Sequence, residues 1–117
     1  MALSPGYGET PLPHDELDAL LPEIVEAVGD RIEVHLDSGI RSGQDVLKAL
    51  AMGAHATHIG RAFIYGLGAM GEAGVTRALQ IIRKELDITM ALCGERDVTR
   101  LGRHNLMIPR DFLDPWL

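Results

Sequence analysis

A chain of 117 residues offers one domain at most, and its 46% apolar and 24% charged content is that of an ordinary globular protein. The net charge of −6 provides no basic stripe that would release counterions from a phosphate polymer, which excludes nucleic acid as an expected partner. The single cysteine, Cys93, rules out an intrachain disulfide and suits a reducing compartment, where a lone Cys serves as a small hydrophobe.

The opening stretch, "MALSPGYGETPLPHDEL", lacks a basic segment followed by an apolar one, so no secretory signal is expected. No run approaches the roughly 18 apolar residues of a membrane helix. The expected location is the cytoplasm. Residues 1–14 combine proline and glycine with neither a period of 2 nor one of 3.6, and are expected to be irregular. From Asp15, the residues Leu17, Leu20, Leu21, Ile24, Val25 and Val28 mark one helical face, with Asp15 as cap and Gly29 as stop. Pro22 implies either a kink or a helix that begins there.

"RIEVHLD" reads as a strand over Ile32 to Leu36. The following "SGQDVLKALAMGA" reads as a helix capped by Ser42, with Val46, Leu47, Leu50 and Ala51 on its apolar face and Gly53 at its end. "ATHIG" is a second strand, and strand, helix, strand with tight loops forms a right-handed βαβ unit with parallel strands. A short apolar segment, "AFIYGLGAM", precedes a helix from Glu72 to Leu86 with Val75, Leu79, Ile82 and Leu86 on one face. "ITMALCG" continues it, "DVTRLGR" adds a turn or two, and "HNLMIPRDFLDPWL" is left as an arm. Two parallel strands expose both edges and bury little, so another chain or a larger fold is expected to complete the sheet.

Both strands end in a Gly and an Arg: "LDSGIRSG" after the first, "IGRAFIYG" after the second. In parallel α/β folds, ligands bind beyond the carboxyl ends of the strands. Gly39 and Gly60 allow close approach of backbone, while Arg41 and Arg61 offer planar forks of N–H donors that match phosphate oxygens. A short helix after Arg61 would add free N–H groups and a positive dipole end. After a single such cluster the Arg is more often a solvated surface charge, and Asp37 is equally a turn residue bonding to nearby N–H groups. His35, His55 and His58 read as packing or rim residues, without Cys or carboxylate at ligand spacing, and no metal site is expected. Glu72, Glu85, Glu95 and Asp97 read as solvated charges. No nucleophile has a base beside it.

The combination of "LDSGIR", "DVLKALAMGA", "IGRA" and "GEAGV…ELDITMALCG", running from about Leu21 to about Gly94, closely resembles the C-terminal part of the FMN-dependent α-hydroxy-acid dehydrogenases and oxidases, the family of L-lactate dehydrogenase, glycolate oxidase and mandelate dehydrogenase. The resemblance implies an α/β fold, specifically the C-terminal fragment of a (β/α)8 TIM barrel: strands seven (Ile32 to Leu36) and eight (Thr57 to Gly60) with their helices. It places the cofactor-binding residues for the FMN phosphate on Asp37, Ser38, Gly39, Ile40 and Arg41, and on Gly60 and Arg61. Residues 15–105 would be the C-terminal part of the FMN hydroxy-acid dehydrogenase domain, and 106–117 a tail. Ser38 stands where many members carry Gly.

The departures from the family bear on activity. The family's "S-N-H-G-G-R-Q" stretch supplies a His that takes the proton from the substrate hydroxyl and an Arg that grips the carboxylate. Here "SPGYGETPLPHDEL" stands in that place and neither residue is present; His14 lies in a different pattern. The substrate-binding Tyr, the Lys near the flavin ring and strands one to six have no counterpart either. No catalytic residue is therefore assigned. The expected protein binds FMN, meets a 2-hydroxy acid such as lactate only in a full-length enzyme, and is truncated and inactive alone. Alternatives are a split-enzyme or assembly module that docks on a partner chain supplying the rest of the barrel, and a phosphate-binding barrel of the inosine-monophosphate dehydrogenase type, against which the "GEAGV…TMAL" stretch argues. Membrane-peripheral attachment of the parent enzyme stays open.

Overall fold

The computed structural model describes residues 2–3 and 14–108. Its elements in chain order are β1 (Ala2–Leu3), α1 (His14–Val28), β2 (His35–Asp37), α2 (Gly43–Ala51), β3 (Ala56–His58), α3 (Arg61–Met70) and α4 (Glu72–Leu92), then two 3-10 turns at Val98–Arg100 and Arg103–Asn105. The strands form one parallel sheet in the order β1-β2-β3.

β1 departs from the expectation that the first residues are irregular. Ala2 pairs with His35 and Leu3 with Leu36, which makes β2 the central strand and adds a third to the two the sequence pattern revealed. Two residues are too few to display a period of 2, so the pattern carried no signal. The remainder of the stretch, residues 4–13, lies outside the described residues.

α1 starts at His14, so Asp15 sits in its first turn instead of capping it, and Pro22 lies inside the helix instead of opening it. The helix runs out through bonds from the N–H groups of Gly29 to Val25 O and of Arg31 and Ile32 to Val28 O. Those bonds occupy the chain as far as Ile32, and β2 is accordingly His35–Asp37, shorter and later than Ile32 to Leu36. α2 begins as expected at Ser42, whose hydroxyl accepts from Asp45 N–H at 3.2 Å while the Asp45 carboxylate accepts from Ser42 N–H at 3.0 Å. This reciprocal cap satisfies donors that a helix start otherwise leaves orphaned.

The core lies between α1, α2 and one face of the sheet. Leu21, Val34, Leu36, Ile40, Ala49, Met52 and Ala54 are buried together, with Ile24, Val25, Val28 and Val46 packed partly against them. Because side chains alternate along a strand, Leu36 faces this core while His35 and Asp37 face the opposite side. Leu106 and Ile108, counted with the tail in the sequence, also pack against the cluster. His55 fastens β3 to β2 below the ladder: Val34 N–H donates to His55 Nδ1 at 3.0 Å, and His55 N–H donates to Val34 O at 2.8 Å.

α4 extends through "ITMAL" to Leu92, as its sequence implied, and packs on α2 and α3 by way of glycines. A Cβ on Gly43 would overlap the backbone of Leu86 and Glu85, and one on Gly74 would overlap the Gly66 carbonyl. Three of the acidic residues read as solvated charges have structural partners. Glu85 Oε2 accepts from Gly43 N–H at 2.9 Å, tying α4 to the start of α2. Glu95 accepts from His104 at 3.0 Å and from Asn105 at 3.3 Å, and these bonds, His104 first, hold its carboxyl below the usual carboxylate range. Asp97 accepts from Thr99 Oγ1 and N–H, which likewise lowers its pKa and caps the first 3-10 turn.

Candidate functional site

The parallel register aligns Asp37 with His58. Adjacent strands lie about 4.8 Å apart, so the loops that follow, Ser38 to Arg41 and Ile59 to Arg61, leave the same edge of the sheet side by side. The seven residues singled out in the sequence thus come from two neighbouring strand ends.

Within the first loop, Ser38 has φ 114° and Gly39 φ 75°. Two successive residues in this region turn the chain sharply out of the strand direction, a conformation Gly adopts freely and Ser only under strain. Ile40 then points back into the core at 6% exposure, so its contribution to any ligand is limited to its main chain. Arg41 is exposed, and its guanidinium has neither ion pair nor hydrogen bond among the described residues. Its backbone N–H is already taken by Asp45 Oδ2 at 3.0 Å. Asp45, which the sequence reading did not single out, therefore claims the amides of both Arg41 and Ser42; the S-x-x-D spacing at Ser42 was the available signal.

In the second loop, a Cβ at Gly60 would meet nothing within 4 Å, which leaves open space at the start of α3. No side chain caps that helix. Its first N–H groups and the positive end of its dipole therefore face outward beside Arg61, which is exposed and likewise free of ion pairs among the described residues. Two unpaired guanidinium groups, an uncapped helix start and an open glycine make a donor set that suits a phosphate.

A cavity of about 630 Å³ touches Ser38, Gly39 and Ile40 from the other side, between α2, the end of α4 and residues 105–108. Neither Arg41, Gly60 nor Arg61 lines it, and much of its wall is leucine, isoleucine and methionine, a lining better suited to apolar groups than to an anion. Among the described residues no group of three or more His, Cys, Asp or Glu is placed to hold a metal, and no helix is long and apolar enough to cross a membrane.

Fold and site together describe a parallel α/β unit with two arginines, two glycines and an uncapped helix start beyond its strand ends. Residues 16–108 match the family model for FMN-dependent dehydrogenase, and the chain belongs to that FMN-dependent family. It is 54% identical over 82 residues to an L-lactate dehydrogenase of Caulobacter vibrioides, covering 70% of this chain and 21% of that one. It is 46% identical over 92 residues to a pre-mycofactocin synthase of Mycolicibacterium smegmatis, covering 79% and 23%. A solved structure of (S)-mandelate dehydrogenase superposes with TM-score 0.74 at 41% identity, over 78% of this chain and 25% of that one. These structural neighbours are TIM-barrel flavoenzymes, and the inosine-monophosphate dehydrogenase alternative is set aside. The chain spans about a fifth to a quarter of the length of these proteins.

Proposed function

We propose that this chain provides the corner of a (β/α)8 barrel that binds the FMN phosphate, and that the completed barrel oxidises an L-2-hydroxy acid. The observation that carries the proposal is the register of β2 with β3, which sets the Gly39 to Arg41 loop beside Gly60 and Arg61. In this reading β2 and β3 are barrel strands seven and eight, β1 stands where strand six would, residues 15–105 belong to the flavin-binding domain and 106–117 form a tail.

Each residue has a distinct role. Arg41 and Arg61 neutralise the phosphate and grip its oxygens. Gly39 and Gly60 let it approach the backbone, and Ser38 and Ile40 shape the turn. An ionised Asp37 only accepts hydrogen bonds, so it suits the hydroxyls of the flavin side chain better than the phosphate. When bound, FMN supplies the acceptor for the hydride equivalent removed from a substrate such as lactate. The chain itself lacks the His and Arg that the family pattern places upstream of α1. Loss of a general base alone typically costs 10²–10⁴-fold, so the chain is not catalytic by itself.

A split-enzyme variant of this proposal has its own support. Ile64, Tyr65, Leu67 and Met70 of α3 are more than half exposed, an apolar face that the rest of a barrel on a partner chain would cover.

The test is amide NMR of the chain titrated with FMN and, separately, with inorganic phosphate. Half a site bears much of the ordering cost and makes part of the contacts, so the dissociation constant should be roughly millimolar at best. Both ligands should shift the amides of Gly39, Ile40, Gly60 and Arg61, and Arg41→Ala and Arg61→Ala should abolish the shifts. Shifts that map to other residues, or that persist in both variants, would refute the assignment.

A further inference from the structure

The sheet face turned away from the helices carries a histidine pair that the flavin site does not use. His35 Nδ1 and His58 Nε2 are 3.1 Å apart, and their ring centres are 5.2 Å apart at an interplanar angle of 42°. They come from neighbouring strands at diagonal positions, since His35 is in register with Ala56 and His58 with Asp37. Both nitrogens therefore sit on a backbone fixed by the ladder and by the His55 bonds beneath it.

From the structure we infer that His35 and His58 chelate one late first-row divalent metal ion, with Zn²⁺ as the natural test ion. Two imidazoles on one tetrahedral Zn²⁺, each nitrogen about 2.0–2.1 Å from the metal, set their donor nitrogens about 3.3 Å apart and their ring centres about 5.2 Å apart. The pair matches the second distance and lies within a few tenths of an ångström of the first, so a small side-chain rotation admits the ion.

The far side of His35 supports the same conclusion. Its Nε2 lies 3.3 Å from Glu33 Oε2, where it donates to the carboxylate. That bond fixes the tautomer and turns the Nδ1 lone pair toward His58. A carboxylate behind a ligating imidazole is the usual way proteins orient such a ligand and raise its basicity. Without metal, His58 Nε2–H donates to His35 Nδ1. Binding needs only the other neutral tautomer of His58, whose exposed ring releases its second nitrogen to water at little cost. In the chain by itself this face is open, and water completes the coordination there. With two imidazole ligands the site follows the usual order of affinities, Cu²⁺ above Zn²⁺, and takes neither Mg²⁺ nor Ca²⁺, which prefer oxygen.

The experiment is calorimetric titration of the full chain with Zn²⁺ at mildly alkaline pH, with histidine ring NMR as a second readout. Saturable one-to-one binding is expected, with shifts confined to His35 and His58. His35→Asn and His58→Asn should each weaken it at least tenfold, and Glu33→Gln by roughly tenfold. His104→Asn should leave it unchanged, and far-UV circular dichroism should confirm that each variant folds. No saturable heat in the parent chain would overturn the inference. So would binding that survives either strand variant, or ring shifts that follow His104 or His55. Because the readouts involve neither flavin nor turnover, the outcome is independent of whether FMN binds.

Discussion

Ser38 is the residue at which local chemistry and backbone conformation conflict. Its φ of 114° belongs to glycine, and holding a side chain there costs on the order of 1–3 kcal/mol. Substituting Gly removes that strain while adding roughly 0.5–1 kcal/mol of unfolded-state entropy. Ser38→Gly should therefore raise stability by about 1 kcal/mol, read as a higher urea midpoint with an unchanged slope. A lower midpoint would mean that the hydroxyl makes a compensating bond. Both positive-φ positions of this turn were visible as letters in "DSGIR", and their adjacency to Arg41 was enough to suggest a ligand loop. What the letters did not show was the direction of each group. Ile40 belongs to the core, and the amide of Arg41 is committed to Asp45.

Elements that depend on near neighbours were legible, and those that depend on distant ones were not. Ser42 and the face of α2 follow from local spacing, whereas the Glu85 bond to Gly43 joins residues 42 apart and leaves no periodic trace. Gly43 shows the same limit. As the residue after a cap it is unremarkable in sequence, yet the backbone of α4 lies directly against it and leaves no room for a Cβ. Overpacking usually costs 1–3 kcal/mol through side-chain adjustment; here the opposing atoms are main chain and cannot rotate away. Gly43→Ala should thus cost about 3 kcal/mol or more and release α4 from α2. Hydrogen exchange should show the loss as faster exchange around Leu86 and Thr89, with the β2 and β3 amides less affected. Uniform acceleration throughout would instead indicate that α4 and the sheet unfold as one unit.

Among the described residues, burial is one-sided. The sheet is covered on the face toward α1 and α2, while α3 has no buried residue and α4 buries only Gly74. Eight large apolar side chains on these two helices, Ile64, Tyr65, Leu67, Met70, Leu79, Ile81, Ile88 and Leu92, are 44–84% exposed. Full burial of such a side chain gives about 1.5–3 kcal/mol, so covering eight that are half exposed is worth about 6–12 kcal/mol. That is comparable to the entire stability of a small domain, about 5–15 kcal/mol. A partner surface that fits these helices can therefore decide whether the fold persists. The chain alone should bind a hydrophobic dye, self-associate as its concentration rises and melt at a concentration-dependent temperature. Co-expression with a polypeptide carrying the remaining barrel strands should abolish dye binding and yield a discrete complex that retains flavin through purification. A chain that stays monomeric, excludes the dye and melts cooperatively at the same temperature at every concentration would show that these helices need no cover, and the split-barrel reading would lose its support.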